Sequence, residues 1–112
     1  MMKINHFCKQ DISDRPIILW GGVMYGEIAY EVITNIYGGT VEAIVDNKYA
    51  KVPWFDKDCI RSSELNKYSS ADLIICGANS FQIIAKEAEA FENDIRVFDL
   101  SKILEDYRLF FS

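Results

Sequence analysis

The chain has 112 residues, half of them apolar, which is enough for one domain with its own hydrophobic core and too few for a second. Its 17 acidic residues against 12 basic ones leave a net charge of −5 without a basic run, which argues against nucleic acid as a partner, since its phosphates would be repelled unless a local basic groove existed. No apolar stretch approaches the ~18 residues that cross a bilayer, and residues 1–10 contain no apolar leader core, so a soluble chain without a membrane partner is expected.

In chain order, Ile17 to Trp20 form a short continuous apolar run, preceded by Asp14-Arg15-Pro16 and ended by Gly21-Gly22. Such a run fits a strand buried on both faces. The period then changes, with Ile28, Ala29, Val32, Ile33 and Ile36 on one helical stripe, and Gly38-Gly39 supplies the stop. Val41, Ala43 and Val45 alternate with Glu42 and Ile44 up to Asp46, which reads as a second strand, less fully buried than the first. Asn47 to Trp54 reads as a loop. Asp58 to Arg61 is a candidate third strand, and Ser62 to Tyr68 a short helix capped by Ser62 or Ser63. Asp72-Leu-Ile-Ile-Cys-Gly77 repeats the buried-strand signature, and Asn79 or Ser80 caps a helix with Phe81, Ile84, Ala85, Ala88 and Phe91 inside. Ile95 to Leu100 is a fifth strand, and Ser101 opens a last segment through Phe111.

Strands alternating with helices predict one α/β domain over residues 1–112. It is a three-layer, doubly wound parallel sheet of about five strands in the order 3-2-1-4-5, the Rossmann-like arrangement. Cys8, Cys59 and Cys76 are odd in number and lack C-x-x-C spacing, so they read as reduced thiols of a cytoplasmic protein.

The candidate ligand residues cluster at the predicted strand ends. Gly21, Gly22 and Gly26 form a strand-to-helix turn of the kind that presents backbone N–H groups to a phosphate. Val23 stands where the middle glycine of G-x-G-x-x-G would be, and Tyr25 either stacks on a nucleotide or plugs the pocket. Any strand-to-helix turn in such a fold also favours glycine. Asp46 lies 20 residues beyond Gly26, the separation at which a carboxylate reaches ribose hydroxyls, and it disfavours the 2′-phosphate of NADP. Asp46-Asn47 is equally an ordinary turn pair whose side chains bond their own backbone. Gly77, Ala78, Asn79 and Ser80 follow the fourth strand and either touch a ligand or cap the next helix.

Groups suited to catalysis are few. His6 is the only histidine and sits in the N-terminal segment away from the predicted strand ends, so no catalytic or metal-ligating residue is singled out. Trp54-Phe55 and the tail residues Leu104, Tyr107, Leu109, Phe110 and Phe111 are surplus large apolar groups. They either complete this domain's core or anchor a homodimer or a partner catalytic subunit.

The stretches Ile17-Ile-Leu-Trp-Gly-Gly-Val-Met-Tyr-Gly26, Val41-Glu-Ala-Ile-Val-Asp-Asn47, Ser62-Ser-Glu-Leu65 and Ala71-Asp-Leu-Ile-Ile-Cys-Gly77 together resemble a known group. It is the small Rossmann-like domain at the front of bacterial polysaccharide-biosynthesis proteins, including sugar O-acyltransferases, nucleotide-sugar dehydratases and sugar methyltransferases. The resemblance spans roughly residues 15 to 104 and implies NAD or a nucleotide-sugar held by Gly21, Gly22, Gly26 and Asp46. Val23 replaces a usual small residue, and no catalytic domain follows, so the resemblance carries no activity over. Two functions are expected from different classes. One is a stand-alone nucleotide-binding module in carbohydrate or cell-envelope polysaccharide metabolism, and the other is a degenerate module that has lost its ligand and pairs with itself or a partner.

Overall fold

The computed structural model describes residues 5–21, 24–77 and 93–111. Five parallel strands form one sheet: β1 (Asn5–His6), β2 (Ile17–Trp20), β3 (Val41–Val45), β4 (Ser70–Ile75) and β5 (Asp94–Asp99), in the order β1-β5-β4-β2-β3. Among the described residues two helices pack on one face of the sheet, α1 (Tyr25–Glu31), which continues into a π-helical turn (Val32–Ile36), and α2 (Ser101–Phe111).

The parallel α/β architecture is as expected, but the strand order is not the expected 3-2-1-4-5. Asp58 to Arg61 contributes only a single bridge, Val45 to Ile60: the Ile60 amide and carbonyl pair with Ile44 and Asp46, while the Cys59 amide turns away to the Ala50 carbonyl at 2.8 Å. The far edge instead gains β1, whose Asn5 and His6 pair with Phe98 and Asp99. The expected short helix is a 3-10 turn (Ser62–Lys67) whose cap position is Arg61 rather than Ser62 or Ser63, with the Arg61 amide donating to Glu64 at 2.7 Å. The stripe Phe81, Ile84, Ala85, Ala88 and Phe91 and its caps Asn79 and Ser80 lie outside the described residues.

Strand alternation divides the core into two halves. Ile17 and Leu19 of β2 face α1, the π turn and α2 in a cluster with Ala29, Val32, Ile33, Phe98 and Ile103. Ile18 and Trp20 face the opposite side with Ala43, Val45, Leu73, Ile75 and Leu65 of the 3-10 turn. The second strand is more deeply buried than its alternation predicts, with only Glu42 exposed. Glu42 is the extra residue of a bulge: Ile17 pairs with Val41 but Ile18 pairs with Ala43. The bulge shifts the side-chain parity, so Val41 and Ala43 fall on opposite faces, in step with Ile17 and Ile18.

Helix α1 widens where the Thr34 hydroxyl donates back to the Tyr30 carbonyl at 2.7 Å. Gly38 then takes the left-handed conformation (φ 75°), and the Gly39 amide donates to the Ile33 carbonyl at 2.8 Å, which ends the helix where the paired glycines predict.

The end of the π turn is fastened to α2. The Tyr37 hydroxyl donates to Asp106 Oδ2 at 2.6 Å, and Lys102 pairs with Oδ1 at 3.1 Å. Donation by Tyr37, supported by Lys102, holds the Asp106 carboxyl below the ordinary range, while burial and Asp106 push the Tyr37 phenol upward. A carboxyl with a lowered native pKa stabilises the fold above the unfolded value of about 3.9, and that contribution disappears as pH falls through the native value. Tyr37→Phe is therefore expected to lose about 1.5–3 kcal/mol at neutral pH and to flatten the acid limb below about pH 4, as read by denaturant melts across pH.

Candidate ligand site at the carboxyl edge of the sheet

After β2 the chain goes outward to β3 and then crosses back to β4 on the other side of β2, so the carboxyl ends of β2 and β4 flank a topological switch point. The two loops read from sequence as ligand loops meet there. A Cβ built on Gly21 would lie 3.6 Å from the Gly77 amide nitrogen, and the Cys76 amide donates to the Trp20 carbonyl at 2.8 Å.

The glycine turn is tight for reasons visible in its backbone. Gly21 takes φ 91° while its amide donates to the Val45 carbonyl at 3.0 Å, so that particular N–H belongs to the sheet. Gly26 is buried, and a Cβ there would stand 2.8 Å from the Gly21 carbonyl oxygen and 3.3 Å from the Trp54 ring. Close helix-to-turn approach thus requires glycine at Gly26, the part assigned to the third glycine of the motif. Met24, at the cap position of α1, makes no side-chain cap hydrogen bond to the first amides of the helix, which have no intrahelical partners. Gly22, Val23, Ala78 and Asn79 lie outside the described residues.

Asp46 and Asn47 brace their own surroundings. Asp46 Oδ1 accepts the amides of Lys48 (2.8 Å) and Tyr49 (2.9 Å), forming an Asx turn. Its backbone carbonyl also accepts the Arg61 guanidinium. Asn47 makes a reciprocal pair with Ser62, through Nδ2 to the hydroxyl at 3.1 Å and from the Ser62 amide to Oδ1 at 3.0 Å. Of the two readings of this acid, the turn role accounts for the side-chain hydrogen bonds it makes here.

Tyr25, at the first turn of α1, instead borders a cleft of about 310 Å³, lined among the described residues also by Ile75, Gly77, Asp99, Leu100, Ser101 and Leu104. Sequence reasoning missed the polar side of this cleft. His6, expected to stand apart from the strand ends, is brought beside Asp99 by the β1–β5 pairing. Asp99 Oδ1 accepts from His6 Nδ1 (2.8 Å), the Ser101 hydroxyl (2.8 Å) and the Ser101 amide (3.0 Å), and His6 Nδ1 lies 2.8 Å from Ser101 Oγ. Burial pushes the Asp99 carboxyl up, but the donors from His6 and Ser101 outweigh it and leave it below its ordinary value.

A histidine, a serine and an aspartate in contact suggest a nucleophile relay, and the geometry argues against one. In a relay, one imidazole nitrogen holds the acid and the other takes the serine proton. Here Nδ1 faces both groups and all donors converge on one carboxylate oxygen, which makes the cluster a clamp for β1 and the start of α2. The only sequence signal was Asp99-Leu-Ser101, an acid and a hydroxyl at a strand-to-helix junction.

The thiols also behave structurally: burial pushes Cys76 up to about 12, and Cys8 and Cys59 are raised for the same reason. Among the described residues no three His, Cys, Asp or Glu side chains converge to hold a metal ion. No helix described is long and apolar enough to cross a membrane. The two groups of surplus aromatics part company. Phe55 is buried, and Trp54 packs on Tyr30 with ring centroids 5.5 Å apart, so this loop completes the domain's own core. Leu104 and Tyr107 also pack inward, while Leu109 and Phe110 are 72% and 66% exposed.

What these features define is a parallel α/β domain with a glycine turn at its switch point and, beside it, a small, mostly apolar cleft. Compared with known proteins, the chain matches no family model, no curated protein and no solved structure.

Proposed function

We propose that the chain is a Rossmann-like nucleotide-binding module that takes NAD or a nucleotide-sugar and serves carbohydrate or cell-envelope polysaccharide metabolism in the cytoplasm. It works without complete catalytic machinery of its own, and a partner subunit supplies the reacting groups. The observation that carries this reading is the meeting of Gly21 and Gly77 at the switch point, beside a cleft bordered by Tyr25. The resemblance in the glycine turn and the strand-end acid supplies the ligand class. The uncapped amides at the start of α1 are the groups that would face a phosphate, and Gly26 lets the helix approach the turn closely. Asp46 keeps Oδ2 beyond the two amides that occupy its other oxygen.

A crystal soaked with NAD and nucleotide-sugars tests the reading, since density at the start of α1 reports both occupancy and identity. An empty turn removes the ligand half of the proposal. A second reading is then favoured by one observation, the exposure of Leu109, Phe110 and Phe111 at the end of α2. In it the domain has lost its ligand and uses this tail to pair with itself or a partner.

A further inference from the structure

We infer that the cleft beside Tyr25 seats one uncharged, polyhydroxylated ring, a pentose or a hexose, whose hydroxyls are read by Asp99 and Ser101. The inference rests on the nucleotide-binding reading only for the source of such a ring, either the ribose or the sugar of a nucleotide-sugar.

Size is the first argument. About 310 Å³ is at the lower end of the ~300–1,000 Å³ of small-molecule sites, enough for one ring system and too little for a dinucleotide. Wall chemistry is the second. Ile75, Leu100 and Leu104 give apolar surface, and Tyr25 adds an aromatic group with a polar tip, the combination that suits a ring with C–H patches and hydroxyl edges.

The polar groups decide the ligand's charge. Asp99 Oδ1 already accepts three donors, which leaves Oδ2 as the acceptor for a ligand. The Ser101 hydroxyl spends its single proton on Asp99 and turns one lone pair to His6 Nδ1, which leaves the other for a ligand. Both positions accept, so they call for donors on the ligand, which ring hydroxyls supply. None of the described lining residues is Lys or Arg, and the Asp99 carboxylate repels an anion, so a phosphate is directed to the glycine turn and the ring to this cleft. From sequence Asp46 is either the hydroxyl-reading acid or an ordinary turn residue. That side chain holds its own turn, whereas Asp99 lines a cleft.

Proton–nitrogen correlation NMR of the intact chain tests this with methyl α-D-glucopyranoside and methyl β-D-ribofuranoside as phosphate-free probes, and with inorganic pyrophosphate. One glycoside is expected to shift the amides of Tyr25, Gly77, Leu100 and Leu104. Asp99→Asn is expected to weaken it about tenfold or more, since a charge-assisted acceptor is lost. Because Asp99→Asn also loosens the clamp on His6, Leu104→Trp serves as a second variant that fills the cleft and leaves the clamp intact, and it is expected to abolish the shifts. The inference is overturned if neither glycoside moves these amides at tens of millimolar, if both variants bind as the wild type does, or if pyrophosphate moves them and Asp99→Asn strengthens its binding. Pyrophosphate shifts confined to Gly21 and Gly26, with silent glycosides, would support the nucleotide reading and reject the ring seat. Glycoside shifts with silent pyrophosphate would support the seat and count against the turn.

Discussion

Phe7→Ala is expected to cost about 3–5 kcal/mol of stability, the range for emptying a fully packed aromatic site. Phe7 is 0% exposed although it lies just outside the two-residue strand β1. Its ring stands edge-on to Phe98 at 5.0 Å between centroids and tilted on Tyr37 at 6.3 Å. It therefore links the N-terminal segment to the last strand and to the end of the first helical segment, and alanine would leave a cavity facing both. Domains of this size have roughly 5–15 kcal/mol in all, so the loss is a large share of the total. A fall in melting temperature of roughly 12–20 °C should accompany it. Denaturant melts should show a lower midpoint with an unchanged slope, because the surface exposed on unfolding hardly changes. The milder Phe7→Leu should cost about 1.5 kcal/mol. A loss under about 1 kcal/mol for the alanine variant would mean that this segment does not belong to the core. The effect reaches the site, because Phe7 follows His6 and fixes the strand that carries it to Asp99.

Asp72→Ala is expected to cost about 3 kcal/mol, for a different reason. Asp72 is 1% exposed in the middle of β4, among apolar neighbours, and is held by two guanidinium groups. Arg96 pairs with it through Nε to Oδ1 and a terminal nitrogen to Oδ2, both at 2.8 Å, and Arg15 Nε donates to Oδ1 at 2.8 Å. Arg15 also reaches the Asp94 carboxylate at 2.7 Å and the carbonyls of Ala71 and Asp94, so it ties the entry to β2 across the amino ends of β4 and β5. Removing the acid leaves two cations side by side without their shared counter-charge, and breaking such a buried pair costs ~3–5 kcal/mol. The lower end applies because both arginines are partly exposed and can turn to solvent. Replacing Asp72, Arg15 and Arg96 together with apolar residues of similar size should restore part of the loss, a sign that the penalty comes from unpaired charge. Equal stability of the single and triple variants in denaturant melts would contradict this.

Much of the sheet could be read from the chain because its strands are short continuous apolar runs. Ile17 to Trp20 and the run from Asp72 to Cys76 each announce a strand packed on both faces, Ile95 to Leu100 announces a fifth strand, and Gly38-Gly39 announces a stop. What could not be read depends on partners distant in sequence. β1 is two residues long, has no periodicity, and gains its meaning from Asp99, 93 positions away. Asp72 reads as part of a buried strand, and only the fold shows that Arg15, 57 residues earlier, returns to meet it. Asp58 to Arg61 resembles a strand in composition, yet only Ile60 finds a ladder partner. At the site the glycines were legible, since the turn needs a left-handed residue at Gly21 and a missing side chain at Gly26. The polar wall was not, because His6 has no local pattern and Asp99 and Ser101 look like a routine strand-to-helix junction. The clamp they form follows from which edge the N-terminal residues join.

The proposed ligand role stands or falls with electron density in a crystal soaked with a mixture of NAD and nucleotide-sugars. The account predicts a diphosphate against the first amides of α1 near Gly21 and Gly26, with a sugar ring in the cleft between Tyr25 and Asp99. A fully bound protein whose density lies elsewhere, or crystals that stay empty at saturating nucleotide while Trp54 and Tyr25 fill the turn, would contradict it and leave a parallel α/β domain whose exposed tail is its working surface.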